Sequence, residues 1–301
     1  MSANLLQHYV LSFSTNLSLL LQQQGSKLRS YITSNTYKGE SASPVDQVAP
    51  VEMQAIASLF GPMPRVDAAV DRRWVDPFGF GLPQLIDRFD KLKILTEPES
   101  VYTRNAMYAA GRKMDDVIIA AFTGLAKTGK QGGTNTSPLA GNTVGVSTGG
   151  TTAGLNVEKL KRGRRILLAH EVDPESDPIT VAITAQQEEN LLNEIQVIST
   201  DFFKVGDRPV LESGRLRSFL GMNFVQIERL VAGTDDLAGT SRSIPMWAKS
   251  GMHLGIWNDI QVEIGQRNDL ENVPWQVYCR MMVGATRLEE KKVVRIWCRE
   301  V

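Results

Sequence analysis

The chain has 301 residues and a mass of 33.3 kDa; 42% of the residues are hydrophobic and 22% are charged. This composition is typical of a globular protein and excludes a disordered chain, and the length allows two modest domains or one elaborated domain. Lys and Arg together number 33, as do Asp and Glu, so the formal net charge is zero. Proteins whose main activity is nucleic-acid binding usually carry a basic excess, so the charge argues against that class and suits a protein that packs against its own copies.

The first predicted element is a helix at the N-terminus. In LLQHYVLSFSTNLSLLLQQQ, apolar residues that include Leu6, Tyr9, Phe13 and Leu17 recur at helical spacing, separated by uncharged polar residues. Two interpretations of this amphipathic helix stay open: it packs on its own domain, or it lies on a neighbouring subunit. The N-terminus lacks the basic start of a signal peptide, and no segment is apolar for long enough to span a bilayer, so we expect no membrane partner.

Residues 25–95 are broken repeatedly by proline and glycine. Two strand-like runs lie between the breaks, VEMQAIASLF (51–60) and DRRWV (71–75), and GPMPRVDAAV connects them. This pattern predicts a long β-hairpin. A two-stranded ribbon is only marginally stable alone in water, so the hairpin is expected to need an outside surface.

A long helix is predicted over residues 96–126. Thr96 and Glu99 form a capping box, and Pro98 lies in the first turn. The apolar stripe contains Met107, Ala110, Met114, Val117, Ile118, Ala121, Phe122 and Leu125, and the charged residues, Asp115 and Asp116 among them, are placed mainly on the other side. The helix is longer than the average of ~11–12 residues in globular proteins.

Residues 127–155 are rich in Gly, Thr and Ser and are predicted to form a loop or flexible hairpin. The segment GLAKTGKQ, Gly124 to Gln131, resembles a phosphate-binding loop, but Gln131 stands where the hydroxyl that binds magnesium is required. It also follows a helix instead of opening one, so it lacks the helix N-terminus that binds phosphate. Nucleotide binding is therefore not predicted here.

Residues 156–257 have an ordinary α/β pattern. Asn156 is predicted to cap a helix that runs to about His170; ITVAIT (179–184) is predicted as a strand, AQQEENLLNEI as a helix, and RPVLES, FLGMNFVQIERL and PMWAKSGMHLGIW as further strands. The basic cluster KLKRGRR (159–165) is interpreted as a solvated helix face, with pairing to acidic residues of a neighbour as the alternative, and HEVDPESDP (170–178) as an acidic turn.

No constellation of catalytic or metal-ligating residues emerges. His8, His170 and His253 are scattered, none has a second His or Cys at metal-ligand spacing, and no serine lies in a nucleophile-elbow sequence. We therefore predict no catalytic, cofactor-binding or metal-binding residues.

The chain ends in a predicted strand. Val294, Ile296 and Cys298 alternate with Arg295, Trp297 and Arg299, so the two sets are expected on opposite faces. If residues 275–301 formed one hairpin centred near Leu288, Cys279 and Cys298 would face each other. With only two cysteines, a disulfide scaffold and a cysteine zinc site are excluded, and both are expected to be thiols.

Several segments together resemble the major capsid proteins of tailed bacteriophages, which have the fold known from phage Hong Kong ninety-seven. These segments are QQQGSKLRSYI, SPVDQVAPVEMQ, DRRWVDP and LLNEIQVIST, followed by GMHLGIWNDIQVEIGQRNDL and VYCRMMVGATRLEEKKVVRIWCREV. The last pair is the most specific, because coat proteins of this size commonly end on a Gly-Ala-X-Arg turn followed by a Val-Val-X-Ile strand.

The resemblance implies an α+β capsid fold with four parts. Residues 1–36 would be the N-terminal arm, and 37–76 the extended loop, a β-hairpin. Residues 77–155 and 251–301 would form the peripheral domain with its spine helix at 96–126, and 156–250 the axial α/β domain. The terminal strand would close the sheet of the peripheral domain, with Arg295, Trp297 and Arg299 facing the spine helix or a neighbouring subunit.

The resemblance also implies partners. The chain would assemble with itself into hexamers and pentamers and then into an icosahedral phage head around double-stranded DNA, held non-specifically. It would meet a portal protein and a decoration or cement protein, and, because the arm starts at Met1, a separate scaffolding protein. The virion would be its destination and the host bacterial cytoplasm its place of synthesis. The candidate intersubunit residues are Leu6, Tyr9, Phe13, Leu17, Arg65, Arg72, Arg73, Trp74, Arg295 and Trp297.

One member of the family cross-links its subunits through Lys–Asn bonds. In this chain Lys38 lies at the base of the predicted hairpin and no lysine lies at its tip, so no covalent cross-link is expected. Deletion of the tip, residues 61–70, is expected to leave a folded subunit that assembles poorly.

Three alternatives stay open. The first is a nanocompartment shell of the encapsulin type, which has the same fold and encloses cargo enzymes. The second is a cytosolic α/β enzyme that uses a nucleotide at Gly124–Gln131, which Gln131 disfavours. The third is a tail-tube or other virion protein, which the long helix at 96–126 disfavours because those proteins are usually β-rich.

Overall fold

The computed structural model describes residues 21–55, 61, 65–86, 99–148, 154–194, 216–233, 241–271 and 273–300. Three α-helices lie in this part of the chain: α1 (Glu99–Thr123), α2 (Val157–Ala169) and α3 (Ala185–Leu192). Together with three β-sheets they confirm the predicted α+β class. The predicted strand RPVLES and the N-terminal helix up to residue 20 lie outside the described residues.

The strands follow in chain order. They are β1 (Thr33–Thr36), β2 (Ala42–Val48), β3 (Val70–Val75), β4 (Phe78–Ile86), β5 (Ala126–Thr128), β6 (Thr134–Thr136), β7 (Thr143–Val144), β8 (Ile179–Ile183), β9 (Ser218–Phe219), β10 (Met222–Gln226), β11 (Ala232–Gly233), β12 (Ser241–Ala248), β13 (Met252–Gln266), β14 (Trp275–Arg287) and β15 (Val293–Arg299). The strands predicted from ITVAIT, FLGMNFVQIERL and PMWAKSGMHLGIW are therefore present, and so are the helices that begin after Asn156 and Thr184.

The strands form three sheets. One has the order β1-β13-β14-β4, and another has the order β2-β3-β5-β6. The third has seven strands in the order β7-β15-β12-β8-β10-β9, with β11 paired to β12. The third sheet contains both parallel and antiparallel pairs. In it the last strand of the chain, β15, lies between β7 and β12.

The described residues divide into two compact units. The smaller contains residues 21–26 and those described within Gly79–Arg112 and Asp259–Met281. The larger contains those described within Lys27–Phe78, Lys113–Asn258 and 282–300. The division into arm, extended loop, peripheral domain and axial domain stays a prediction.

The main hydrophobic core lies in the larger unit, on the seven-stranded sheet. β8 is buried along its whole length, and α2 packs its apolar face, including Leu160 and Leu167, against the sheet. Leu160, Leu167, Ile179, Val181, Ile244, Met246, Val294 and Ile296 are all fully or almost fully buried in this cluster. Burial of this many apolar side chains is the largest favourable term in the stability of this unit.

The C-terminal strand β15 alternates as predicted. Val294, Ile296 and Cys298 are fully buried, and Arg295, Trp297 and Arg299 are half-buried on the other face. Its partners differ from the prediction, because β15 pairs with β12 and β7 in the sheet that also holds β8 and β10. β7 comes from the predicted peripheral segment and β12 from the predicted axial segment, so the expectation that β15 closes the peripheral domain stays a prediction.

This placement also settles the cysteines. β14 and β15 do not form one hairpin, so Cys279 and Cys298 are not opposite each other; both are buried free thiols, as expected. Burial raises the pKa of Cys298 to about 12, so this thiol stays protonated and unreactive at neutral pH.

The carboxylate of Glu300 secures the end of β15. Its Oε1 accepts hydrogen bonds from Thr184 Oγ1 and Gln187 Nε2, each at 2.8 Å, and its Oε2 accepts one from Arg242 Nε at 2.6 Å. The guanidinium of Arg242 also donates to the carbonyls of Glu228 and Leu230. A charged group with three donors holds a strand end that would otherwise fray.

Helix α1 is the predicted long helix, with a shorter C-terminal end. It ends at Thr123 and not at residue 126, because the chain turns at Gly124 into β5. Ala110, Met114, Ile118 and Phe122 of the predicted stripe are buried, but Met107 and Leu125 are 46% and 67% exposed. The predicted capping box at Thr96 lies outside the described residues.

Asp115 was placed on the polar side of this helix, and that placement is wrong. It is fully buried, and its carboxylate accepts hydrogen bonds from the backbone N–H groups of Lys27 and Leu28 at 3.0 and 3.2 Å. The ammonium of Lys27 donates to the carbonyl of Gln226. A buried carboxylate needs such donors, so Asp115 fixes the path of the chain that enters the larger unit.

The predicted solvated face of α2 needs a similar correction at one residue. Lys159 is fully buried, and its ammonium donates to the carbonyls of Gly154 at 3.0 Å and Trp297 at 3.1 Å. Burial lowers the pKa of Lys159. Lys161, Arg162 and Arg165 are exposed, as the interpretation required.

Arg287 closes the C-terminal end of α1. It is 1% exposed, and its Nη1 donates to the carbonyls of Ala121, Phe122 and Gly124 at 2.7, 3.1 and 2.6 Å. Its Nη2 donates to the carbonyl of Thr136 in β6 at 3.3 Å. The last carbonyls of a helix have no partner within the helix and carry partial negative charge, so a guanidinium is well suited to them.

Gly284, in the same Gly-Ala-X-Arg segment, is required by close packing. A Cβ at this position would lie 2.0 Å from the carbonyl oxygen of Asp76, a distance that no side chain can adopt. The backbone of β14 therefore approaches the end of β3 as closely as only glycine allows. Two residues of the segment that is typical of coat proteins thus have separate physical roles, close packing at Gly284 and helix capping at Arg287.

His253 holds the edge strand β1 against β13. β1 pairs with β13 in parallel, Thr33 opposite His253. Thr33 Oγ1 donates to the Met252 carbonyl at 2.6 Å and lies 3.2 Å from Nδ1 of His253, while the Tyr37 hydroxyl lies 2.9 Å from Nε2. Since the threonine proton is used, the ring is neutral with its proton on Nδ1, and the tyrosine hydroxyl donates to Nε2.

The helix cap leads to a first prediction. Arg287→Met is expected to lower the free energy of unfolding by about 3 kcal/mol, because it leaves several buried carbonyls without donors. Arg287→Lys keeps the charge but lacks the planar guanidinium group, and it is expected to lower the free energy of unfolding by less than Arg287→Met does. Urea unfolding of the unassembled subunit measures both, with Lys130→Met, at an exposed lysine, as the control. An Arg287→Met midpoint equal to the wild-type midpoint would contradict the capping role.

The buried imidazole leads to a second prediction, on pH. Burial lowers the pKa of His253 from its ordinary 6.5 to about 4. Because the folded pKa lies below the unfolded one, the stabilisation is complete above pH 6.5 and is lost as the pH falls to about 4. Over that window the wild type is expected to lose about 3 kcal/mol more of its free energy of unfolding than His253→Gln, which cannot titrate.

Urea midpoints of the two proteins at several pH values between 7 and 4 measure this difference. The carboxylates titrate equally in both proteins, so their contribution cancels. Parallel pH profiles for the two proteins would show that the pKa of His253 is the same in the folded and unfolded states and would contradict a buried neutral ring.

Candidate functional site

The candidate interaction site is an antiparallel hairpin formed by β2 and β3. Val45 pairs with Arg73, Asp46 with Arg72 and Val48 with Val70, and an irregularity between Ala42 and Val45 shifts the register. The second strand is the predicted DRRWV, but the first is Ala42–Val48 instead of the predicted run at 51–60. Residues 51–55 lie outside any strand, and 56–60 lie outside the described residues. β-propensity favoured VEMQAIASLF, but hydrogen bonding to β3 selected the more polar ASPVDQV.

A buried ion pair anchors the base of this hairpin. Arg73 Nη1 and Nη2 donate to the two carboxylate oxygens of Glu290 at 2.8 and 2.6 Å, and the two side chains are only 7% and 10% exposed. Arg73 Nε donates to Gln47 Oε1 at 3.1 Å, and Gln47 Nε2 donates to the Leu288 carbonyl at 2.6 Å. The guanidinium fork is thus fully used within the chain.

Arg72 and Trp74 point to the other face of β3. Arg72 donates two hydrogen bonds to the carboxylate of Asp46, at 2.5 and 2.8 Å, and its guanidinium carbon lies 5.8 Å from the centre of the Trp74 ring. The Arg72 guanidinium lowers the pKa of Asp46. Trp74 Nε1 donates to the carbonyl of Gly129 at 2.7 Å, and its ring lies against Gly132. The glycine-rich hairpin β5–β6 therefore packs beneath this face.

The part of the hairpin beyond this base exposes apolar side chains. Val48, Val51, Met53, Val66 and Val70 are 65%, 56%, 101%, 47% and 71% exposed. Arg65 is also exposed, paired only with Asp67 two residues on at 2.8 Å. Exposed apolar side chains of this kind are typical of an interaction site.

The other candidate residues are distributed over the chain. Arg295 stacks on Trp297, 5.4 Å from the ring centre, and the Trp297 ring lies so close to Gly233 that a Cβ there would be 2.5 Å from it. Trp297 thus contacts its own chain; whether it or Arg295 also contacts a neighbour stays a prediction. Leu6, Tyr9, Phe13 and Leu17 lie outside the described residues.

Sequence reasoning placed Arg72, Arg73 and Trp74 among intersubunit contacts, and the structure shows that each has a partner within its own chain. Arg73, at 6% exposed, has almost no surface left for a neighbour. The residues that sequence reasoning missed are Gln47 and Glu290. Glu290 is 217 positions from Arg73, so no local pattern could have revealed the pair.

The segment Gly124–Gln131 has the context that the sequence indicated. It begins where α1 ends and continues as β5 into the turn before β6, so no helix N-terminus points at its centre. Within the described ranges, no group of three or more His, Cys, Asp or Glu side chains is placed to hold a metal ion. In the same ranges, no helix has the length and apolar character needed to cross a membrane.

The two ion pairs on adjacent residues of β3 give a third prediction. Glu290→Gln is expected to lower the free energy of unfolding by about 3 kcal/mol, because it leaves the buried guanidinium of Arg73 without a countercharge. Asp46→Asn, which breaks the exposed pair with Arg72, is the matched control and is expected to leave the urea midpoint unchanged. Equal midpoints for the two variants would show that burial at the hairpin base has no energetic consequence.

Solved structures with a similar fold include the capsids of several phages. The capsid of Cyanophage P-SCSP1u aligns with a TM-score of 0.74 at 13% identity, covering 98% of this chain and 94% of that one. The capsid of Cyanophage Pam1 aligns with 0.72 at 12% identity, covering 97% of both chains. The capsid of Ralstonia phage GP4 aligns with 0.71 at 11% identity, covering 98% and 96%. At these identities the likeness establishes the fold, which is of the Hong Kong ninety-seven type.

The sequence itself provides the assignment to a family. No curated protein sequence matches this chain. The family model described as phage capsid protein, however, matches residues 5–300, which is nearly the whole length. The chain therefore belongs to the phage capsid protein family.

Proposed function

We propose that this chain is the major capsid protein of a tailed phage, and that it assembles through hexamers and pentamers into an icosahedral head around double-stranded DNA. Family membership and the fold support a structural role in a capsid, and we propose that the protein has no catalytic activity. The single observation that carries assembly is the hairpin, which has a rigid buried base and an exposed apolar distal part.

The hairpin has the physical properties of an intersubunit clasp. Its exposed valines and Met53 gain about 25 cal/mol for each Å² of apolar surface that a neighbour covers. The entropy of association cancels much of that gain, so each contact is weak by itself. Weak contacts allow misplaced subunits to dissociate, and repetition over a closed shell makes the correct arrangement stable. The buried Arg73–Glu290 pair keeps the base rigid, so little conformational entropy is lost when the distal part binds.

The proposed parts follow the sequence interpretation. Residues 1–36 act as the N-terminal arm, 37–76 as the extended loop, 77–155 with 251–301 as the peripheral domain, and 156–250 as the axial domain. The proposed partners are copies of the chain, a separate scaffolding protein, a portal protein and a decoration protein, with DNA held non-specifically. The neutral net charge supports the last point, because a strongly basic subunit would bind the packaged DNA tightly.

A nanocompartment shell is the alternative that shares the fold. The contents of the particle distinguish the two: packaged DNA and a portal indicate a phage head, and cargo protein indicates a nanocompartment.

The fourth prediction tests assembly. Electron microscopy of the protein, expressed alone and with a candidate scaffolding partner, is expected to show closed shells. Val51→Asp combined with Met53→Asp is expected to leave folding unchanged and to raise the concentration needed for assembly at least tenfold, because about 1.4 kcal/mol of lost contact energy suffices. Val231→Asp, at an exposed valine outside the hairpin, is the control. Only small oligomers from the wild type under both conditions would contradict the proposed function.

A further inference from the structure

Helix α2 and the turn between β9 and β10 enclose a groove of about 430 Å³ that the hairpin does not involve. Its lining residues are Lys161, Arg164, Arg165, Leu168, Ala169 and Leu220. The helical members recur at intervals of three and four, so they form one face of α2. The groove therefore combines two or three positive charges with an apolar wall, and its volume is in the range of sites that bind a ligand of several residues.

Two residues that line the groove are in unusual environments. The Nε–H of Arg164 is buried and has no hydrogen-bond partner among the described residues, and a buried unpaired donor is costly. Leu220, which forms the opposite wall, has a φ of 53°, a conformation that a bulky side chain rarely adopts. The turn thus holds the leucine in place beside the groove at an energetic cost.

The chain also presents a ligand of matching chemistry, the acidic turn that follows α2. Glu171, Asp173 and Glu175 are exposed there, with Pro174 between the last two. Asp173 Oδ1 accepts a hydrogen bond from the backbone of Glu175 at 3.1 Å, and the Asp177 carboxylate accepts hydrogen bonds from both the backbone and the hydroxyl of Ser250. The turn is therefore held in one shape before it meets a partner, which reduces the entropic cost of binding.

We infer that the acidic turn of one copy binds in the basic groove of the next copy within a capsomer, an inference that rests on the proposed function. The carboxylates would lie against the cations of the groove and Pro174 against its apolar wall. The two surfaces are different parts of the same chain, and we place the contact head to tail, so that each copy gives one contact to one neighbour and receives one from another. A heterologous contact closes into a ring when the rotation between copies allows it, as a hexamer or pentamer requires.

A second copy fits the groove better than DNA does. A phosphate backbone needs a continuous run of positive charge and has no apolar group for the wall formed by Leu168 and Leu220. The chain is neutral overall, so the basic groove is balanced by acidic surface elsewhere on the same molecule. Since such charge pairs are partly solvated, they set the orientation and rate of association more than its strength.

The test is a charge reversal on each side of the contact. Lys161→Glu with Arg165→Glu reverses the groove, and Glu171→Lys with Glu175→Lys reverses the turn; all four side chains are exposed, and Asp173 is kept because it shapes the turn. Each double variant is expected to reduce capsomer and shell yield at least tenfold with an unchanged urea midpoint. The quadruple variant, whose net charge equals that of the wild type, is expected to recover most of the yield.

Mixing gives a second readout that does not depend on shells. In the groove variant both the groove and the turn are acidic, and in the turn variant both are basic. Copies of one variant therefore repel each other, whereas the two variants attract each other. Native mass spectrometry is expected to show rings in which the two variants alternate, so the number of subunits is even. A five-membered ring would contain at least one mismatched contact and is not expected. The control Lys130→Glu with Lys291→Glu, at two exposed lysines outside the groove, carries the same net charge as the groove variant and is expected to assemble like the wild type.

The outcomes separate the inference from the proposed function. The inference would be overturned if the groove variant assembled normally, or if neither the quadruple variant nor the mixture associated. Wild-type shells in the same experiment would leave the capsid role intact. A third outcome is that the groove variant forms normal empty shells but does not retain DNA, while the turn variant behaves like the wild type. This result would identify DNA as the occupant of the groove and would overturn the inference. Absence of wild-type shells, with mixed rings still forming, would overturn the phage head and not the contact.

Discussion

The short segment from Arg287 to Glu290 is the constraint on which the larger unit depends. Arg287 neutralises the carbonyl end of the long helix α1, Leu288 offers its carbonyl to Gln47 of the hairpin, and Glu290 pairs with Arg73 beside it. Two buried guanidinium groups and one carboxylate thus connect the helix, the hairpin and the start of the last strand. Because removal of a partner from a buried charge is strongly destabilising, these contacts favour one mutual arrangement of the three elements.

That arrangement explains how one chain combines rigidity with exposure. The seven-stranded sheet and α2 bury a conventional apolar core, which stabilises the unit without help from a partner. The hairpin is attached to this unit by charge and by the contact of Trp74 with the glycine-rich turn, and its distal valines stay uncovered. A subunit built in this way is stable alone and still has apolar surface to cover, which is the physical requirement for a protein that functions in a closed assembly.

Local signals in the sequence predicted the elements well and the partners poorly. The long helix, the cap at Asn156, the buried strand at Ile179 and the alternation of β15 all follow from periodicity and capping, which act over a few residues. The sequence does not predict the burial of Asp115, Lys159 and Arg73, because each of these charges has a partner between 87 and 217 positions away. The first hairpin strand was misplaced for the same reason, since pairing with β3 outweighed local β-propensity.

The sequence by itself therefore determined the class, most of the order of elements and, through the terminal Gly-Ala-X-Arg segment, the capsid family. Only the tertiary structure decided which sheet receives the last strand, which charges are buried and which apolar residues stay exposed. The physical reason is the sequence separation of the residues that determine each feature. Helix caps, turns and amphipathic periodicity are set by residues within one or two turns of each other, whereas strand order and the pairing of buried charges depend on contacts that the chain makes only after it has folded.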